Sequence, residues 1–336
     1  MRFIFLVLSV FLITACNKSE PVTIGGHSMG TTYHVILADK GVDTKKAVAV
    51  KEKVDSLLQT VNQQMSTYIK ESEISRFNQL TDTIPFPVSA PFVRVLRLAL
   101  QIHSESNNLF DVTVGPLVNL WGFGTKGNRT TPPKPKQIRE TLKQVGSQFI
   151  EIINDSTIRK TNPHIQLDFS AIAKGYGVDA VAELLQKFGY SNFLAEIGGE
   201  VITRGSKDGV PWKIGIDRPL PDVVPGSDLE MILELHNAAM ATSGDYRNYF
   251  TSGDSLYSHE IDPRNGRPVH NNMASVTVLA PSCMLADAMA TAIMVMGAKK
   301  GLEWVESKPG VEVFIIIHSG KGFKEISSRN FKFPRH

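Results

Sequence analysis

Asp287 and Thr291 stand four residues apart in the run Met284-Leu285-Ala286-Asp287-Ala288-Met289-Ala290-Thr291. On a helix that spacing projects both oxygens from one face. Hard cations such as Mg²⁺ take oxygen ligands of this kind, and a carboxylate on an otherwise apolar helix is costly unless it is paired or metal-bound. The same pattern also fits an Asp that caps a nearby backbone amide while Thr291 bonds back to its own helix. A second candidate is Leu167-Asp168-Phe169-Ser170-Ala171-Ile172-Ala173-Lys174-Gly175-Tyr176-Gly177. Its alternation predicts a strand ending near the acid, followed by a helix with a lysine in its first turns. Helix N-termini attract anions, so this segment could hold a phosphate. The chain contains neither G-x-G-x-x-G nor G-x-x-x-x-G-K-[ST], which excludes the common dinucleotide fingerprint and the P-loop.

His259 precedes Glu260-Ile261-Asp262-Pro263-Arg264-Asn265-Gly266, a turn-forming run. A loop histidine beside an acid can serve as a base at neutral pH, and it can equally be a surface hydrogen-bonding group. None of the nine histidines falls in H-E-x-x-H or a Cys/His cluster, which argues against zinc chemistry. Gly26-His27-Ser28-Met29-Gly30 fits the G-x-S-x-G elbow of esterases, but an elbow needs a helix after the serine. Here Thr31-Thr32-Tyr33-His34-Val35-Ile36 reads as a strand, so Ser28 to Thr31 is expected to be a turn bringing backbone close to a ligand.

The elements that must position these groups follow from periodicity. A strand is expected over His27–Leu37. A long helix should start at Asp43, with Ala47, Val50, Val54, Leu57, Leu58, Val61 and Met65 facing inward, and a second helix should run from about Pro91 to Ser104. Lys126 to Pro135 reads as a surface loop. Beyond it, β-like runs at 149–153, 165–169, 193–197, 200–204, 212–216, 229–235, 274–279 and 311–317 are interleaved with helices near 171–188 and 284–306. The irregular alternation predicts an α+β fold: mixed β-sheets with flanking helices in two intimately joined lobes, the ligand site between them.

The chain has 336 residues, 42% hydrophobic and 21% charged, with a net charge of +3. This is ordinary globular composition, long enough to bury a large core without disulfides. The small, well-mixed charge excess argues against nucleic-acid binding. Of the two cysteines, Cys16 ends an apolar run from Phe3 to Ala15 that follows Arg2. The run is too short to span a bilayer and reads as a signal peptide. Its end, Ile13-Thr14-Ala15-Cys16, resembles the bacterial lipobox, in which the cysteine thiol carries diacylglycerol. The expected organisation is a lipoprotein signal peptide over residues 1–15, a tether over 16–24 and one domain over 25–336. The protein would then hang by lipid from a bacterial cell membrane, facing the periplasm or the cell exterior.

Taken in order, several segments resemble the FAD:protein FMN transferases, the ApbE-type flavin transferases. They are Met29-Gly30-Thr31, Met65-Ser66-Thr67-Tyr68 with Ser72 to Asn78, Phe110 to Leu117, Leu167 to Ser170 with Lys174-Gly175-Tyr176, Gly198-Gly199-Glu200, Ser243-Gly244-Asp245-Tyr246-Arg247, His259 to Pro268, and Ala286 to Thr291. The resemblance implies Mg²⁺-dependent transfer of the FMN half of FAD to a threonine hydroxyl of an acceptor protein, with release of AMP. Acceptors of such enzymes are flavoprotein subunits of membrane redox complexes or other extracytoplasmic flavoproteins. It further implies that Met29, Tyr68, Leu109, Phe110, Asp111, Asp168, Lys174 and Ile261 contact FAD. The carbonyl of Ala171, the carboxylate of Asp287 and the hydroxyl of Thr291 would hold the metal. Where the family's metal helix can carry a second acid, this chain has Ala290. The implied base that takes the threonine proton is His259, with Asp262 in reserve. Two other readings keep the same site: an FAD pyrophosphatase giving FMN and AMP, and a lipid-anchored flavin-binding protein without turnover.

Overall fold

A computed structural model describes residues 20–124, 131–220, 223–224, 226–244, 249–252, 255–320 and 322–332. Its centre is an eight-stranded sheet ordered Val22–Ser28, Thr31–Leu37, Phe193–Ile197, Glu200–Arg204, Ala239–Gly244, Met273–Ala280, Glu312–Ser319 and Gly322–Ser327. The class is α+β, and every strand pairing among the described residues is antiparallel.

Both faces of this sheet are covered, and the strand alternation shows how. Ala195, Ile197, Ile202 and Ala239 join the cluster beneath the helices. Leu194, Val201 and Met240, one residue out of phase, pack with Trp212, Ile214, Leu233 and Leu235 of a separate hairpin on the other face. The helices are α1 (Thr44–Met65), α2 (Glu73–Gln79), α3 (Ala90–Glu105), α4 (Gly115–Trp121), α5 (Pro135–Leu142), α6 (Ala173–Lys187), α7 (Cys283–Met296) and α8 (Ala298–Glu306), of which α4 and α5 pack in a cluster of their own. Asp43 caps α1 by accepting from Lys46 N at 2.8 Å, and Ala47, Val50, Val54, Leu58, Val61 and Met65 are its buried stripe. Ser89 caps α3, with Pro91 in the first turn. A smaller sheet, Phe86–Pro87, Thr157–Lys160 and Ile150–Asn154, packs with α3 and α7 into the largest core cluster.

Three departures from the sequence expectation have local causes. The first strand begins at Val22, inside the stretch read as tether, because Val22 to Ile24 pair with Ile36 and its neighbours ahead of the Gly25-Gly26 pair that masks the alternation. The expected helix over 284–306 is two helices, broken at Gly297, whose φ of 84° helical backbone does not allow. Residues 165–169 form no strand although Ile165, Leu167 and Phe169 are all buried. The carboxamide of Asn78 takes the place of a neighbouring strand: it accepts from Leu167 N at 2.7 Å and donates to Leu167 O at 2.8 Å. Asp168 N donates to Val112 O at 2.7 Å on the other side.

Candidate active site

A cleft of about 770 Å³ gathers residues from α2, the loops before α4 and α6, α6, α7, the central sheet and the loop after His259. Tyr68, Leu109, Phe110, Asp111, Asp168, Ala171, Lys174, His259, Ile261, Asp287 and Thr291 all line it. Met29 does not. It occupies the tight turn between the first two strands, at φ 53°, and turns its sulfur toward α6, where a Cβ on Gly177 would lie 2.9 Å from it. The same turn disposes of the elbow: Ser28 pairs with Thr31 across a hairpin and accepts from Asn62 Nδ2 at 3.0 Å, and no helix follows.

One wall is the contact between α6 and α7. The helices touch at Gly175, where a Cβ would lie 2.5 Å from Cys283 O and 2.8 Å from Asp287 Cβ, so no larger residue fits. The closeness lets Gly175 N donate to Asp287 Oδ2 at 2.9 Å. The carboxylate of Asp179 holds the start of α7 by accepting from Cys283 N at 2.8 Å and Met284 N at 2.9 Å. Thr291 Oγ1 lies 3.2 Å from Ser243 Oγ on the sheet. Half-buried Lys174 forms an ion pair with Glu200, whose other oxygen, Oε2, has no hydrogen-bond partner among the described residues. Burial pushes Glu200 up to about 7, with the negative charge of Asp287 adding and Lys174 opposing. Burial likewise raises Asp287 against the pull of Lys174 and the Gly175 amide. Burial alone would lower the Lys174 ammonium, but the two carboxylates outweigh it and raise it.

Two carboxylates, 2% and 5% exposed, therefore face one ammonium. The site is short of positive charge, and its donors are all oxygen: carboxylates, the Thr291 hydroxyl and the carbonyl of Ala171 in the turn that Asp168 braces by accepting from Ser170 N at 2.9 Å. The described residues contain no group of three His, Cys, Asp or Glu suited to a metal. Such a donor set fits a hard cation such as Mg²⁺ and not zinc.

The opposite wall is looser. His259 is 33% exposed, with Nε2 3.3 Å from Glu260 Oε1 and the Phe123 ring edge-on at 6.4 Å. Phe123, Phe250, Tyr257 and Trp121 form a chain of ring contacts behind it, and Trp121 Nε1 donates to Gly266 O at 2.7 Å. Asp262 lies outside the cleft lining. Although burial works against it, Arg264 and its backbone amide hold its carboxyl below the usual range, which makes it a poor base. Tyr68, 78% exposed, stands at the cleft mouth. Asp111 spends its oxygens on bracing: Oδ1 accepts from Thr113 N, Thr113 Oγ1 and Ser147 Oγ, and Oδ2 from Ser147 N.

Four residues that build the site were not singled out for it by sequence reasoning. Glu200 and Ser243 fell inside family motifs without an assigned role. Asn78 holds the Asp168 segment. Lys160, 1% exposed, donates from Nζ to Leu80 O at 2.8 Å, Ile165 O at 3.1 Å and Phe77 O at 3.4 Å, tying the end of α2 to the same segment. The signal for Glu200 was an acid directly after a Gly-Gly turn at the start of an apolar strand. Lys160 carried none, since a lysine ending a strand reads as exposed. Cys16, the rest of residues 1–19, and Asp245-Tyr246-Arg247 lie outside the described residues. No helix among the described residues is long and apolar enough to cross a membrane.

Comparison with known proteins agrees with this geometry. A model of the ApbE family matches residues 29–315. The chain is 42% identical over 327 residues to the FAD:protein FMN transferase of Vibrio cholerae, covering 96% of each, and 40% identical over 335 residues to that of Haemophilus influenzae, covering 98% of this chain and 96% of the other. Among solved structures, the flavin transferase ApbE from Vibrio cholerae superposes with a TM-score of 0.83 over 93% of this chain and 98% of that one, at 42% identity. The apo flavinyl transferase ApbE of Pseudomonas stutzeri gives 0.81 at 35% identity, over 92% and 95%.

Proposed function

The chain belongs to the ApbE family, and on that footing we propose that it is an FAD:protein FMN transferase that moves the FMN half of FAD onto a threonine hydroxyl of an acceptor protein and releases AMP. The observation that supports this most is the convergence in one cleft of Lys174, two buried carboxylates, Thr291 and His259. FAD carries a dianionic pyrophosphate. The threonine oxygen bonds to the phosphorus on the FMN side, the bond from that phosphorus to the bridging oxygen breaks, and AMP leaves with the electron pair. Lys174 meets the pyrophosphate with a full charge from the first turn of α6. His259 takes the threonine proton, worth roughly 10²–10⁴-fold, or about 3–5 kcal/mol. Asp287, Thr291 and the carbonyl of Ala171 would hold Mg²⁺, which supplies neutralisation of charge on the departing phosphate. Leu109 to Asp111 and Ile261 offer apolar and backbone surface for the flavin, and Tyr68 at the mouth a ring to stack on it.

Incubation with FAD and Mg²⁺, with and without a flavoprotein acceptor domain, tests the reading. Acceptor-dependent AMP release with covalent yellow fluorescence on the acceptor is expected. AMP released equally without acceptor would make the protein a pyrophosphatase, and bound FAD with no AMP a flavin carrier.

The same proposal includes lipid attachment at Cys16, which would hold the enzyme at a bacterial membrane facing its extracytoplasmic flavoprotein partners. Its support is the short apolar run ending in Ile13-Thr14-Ala15-Cys16. Cys16→Ser should release the protein from membranes; retention would overturn the anchor.

A further inference from the structure

We propose that Glu200 is itself a ligand of the divalent cation, supplying from the neighbouring hairpin the second carboxylate that α7 does not carry. This rests on the cation-dependent reading above and goes beyond it, since that reading draws the metal ligands only from α7 and the turn before α6.

Three observations support it. Glu200 is 2% exposed, one of its oxygens is taken by Lys174 and the other, Oε2, has no hydrogen-bond partner among the described residues. A buried carboxylate oxygen left unpaired is expensive, and a cation is the partner that removes the cost most fully. Next, α7 presents one carboxylate, Asp287, and one hydroxyl, Thr291, while position 290 on the same turn is alanine. Glu200 and Asp287 line the same cleft, both feel the charge of Lys174, and the negative charge of Asp287 bears on Glu200. One ammonium does not balance two carboxylates, and a divalent cation between them would.

Finally, the side chain is mounted rigidly. Glu200 opens its strand directly after the Gly198-Gly199 turn and pairs with Ile197 across the hairpin. The turn is locked from both sides: Gly199 N donates to Glu196 Oε1 at 2.7 Å, and a Cβ on Gly198 would lie 2.8 Å from Thr31 Cγ2. A ligand fixed in place before the metal arrives loses little freedom on binding it. The competing role for Glu200 is a counter-ion that only orients Lys174.

The two roles separate in direct metal binding to the full-length protein in detergent, without FAD. Mn²⁺ affinity is read by electron paramagnetic resonance, and the number of waters on bound Eu³⁺ by luminescence lifetimes in H₂O and D₂O. Asp287→Asn serves as the reference. Glu200→Gln should weaken Mn²⁺ binding by at least about tenfold and add about one water to bound Eu³⁺. Glu200→Asp, which keeps the charge and fold, should recover part of the affinity. Unchanged Mn²⁺ affinity in Glu200→Gln would overturn the proposal. So would weaker affinity with the same Eu³⁺ water number, because that marks a field effect through Lys174 without ligation. If the wild-type protein bound neither ion, the cation-dependent reading would fail together with this one. Binding abolished by Asp287→Asn but untouched by Glu200→Gln would overturn this inference alone.

Discussion

On one wall, Asp287 of α7 and Glu200 of the neighbouring hairpin are sunk in apolar packing at 5% and 2% exposure, the first held by the Gly175 amide where α6 and α7 touch without slack, the second by its ion pair with Lys174. Across the cleft His259 sits in a loop at 33% exposure, and Tyr68 at the mouth is 78% exposed. The first wall is prepared to handle charge, because buried, fixed dipoles and charges act strongly and need no rearrangement when charge shifts. The second is accessible, as it must be if the nucleophile arrives on another protein. On the proposed function, the difference would give phosphate and metal chemistry to the rigid side and acceptor entry to the open side.

The contrast can be broken or sharpened by substitution. Asp287→Ala, on the rigid wall, should lower FMN transfer by about 10³-fold in saturating FAD, measured as acceptor-dependent AMP release, with no recovery at higher pH. His259→Ala should cost less, about 10²-fold, and act on turnover while leaving FAD affinity within about twofold by flavin-fluorescence titration. Equal loss of FAD affinity in both variants would erase the division between the walls. Lys160→Met leaves three carbonyls without their donor and should destabilise the protein by about 1–3 kcal/mol in urea unfolding, with KM for FAD rising more than kcat falls because the Asp168 segment loosens. The smallest effect belongs to the open side. Arg264 holds Asp262 below the usual carboxylate range, so that stabilisation is present above the unfolded-state value and is lost as pH falls through the lowered one. Arg264→Ala should raise the midpoint of acid unfolding slightly, a change within about 0.5 kcal/mol by circular dichroism, since the arginine of the pair is half open to water.

Elements whose own residues state their environment were legible in the sequence. The α1 stripe and its Asp43 cap, the strands over 193–197 and 200–204, and the shared face of Asp287 and Thr291 follow from period and spacing. What escaped depends on partners far along the chain. Ala239–Gly244 is mostly small residues (two alanines, a serine and a glycine) with weak strand preference and becomes a strand because Met273–Ala280 pairs with it. The run at 165–169 alternates like a strand, but Asn78 is its neighbour in place of a ladder. Lys160 is charged and yet fully enclosed, because carbonyls at 77, 80 and 165 converge on one point, which no local pattern announces. The resemblance implies that Met29 touches the flavin, while the structure places its sulfur beside Gly177 of α6 and outside the cleft lining.

Cys283 gives the rigid wall a built-in clock. Its sulfur is enclosed at the first residue of α7, 3.7 Å from Met240 O, and burial pushes its thiol well above the ordinary value, so it is inert while the helices stay together. A thiol reagent reaches it only when α7 lifts from α6 and the sheet. Labelling under conditions where the reagent is fast then counts those openings, and comparing their rate with and without FAD tests whether the nucleotide holds the wall shut.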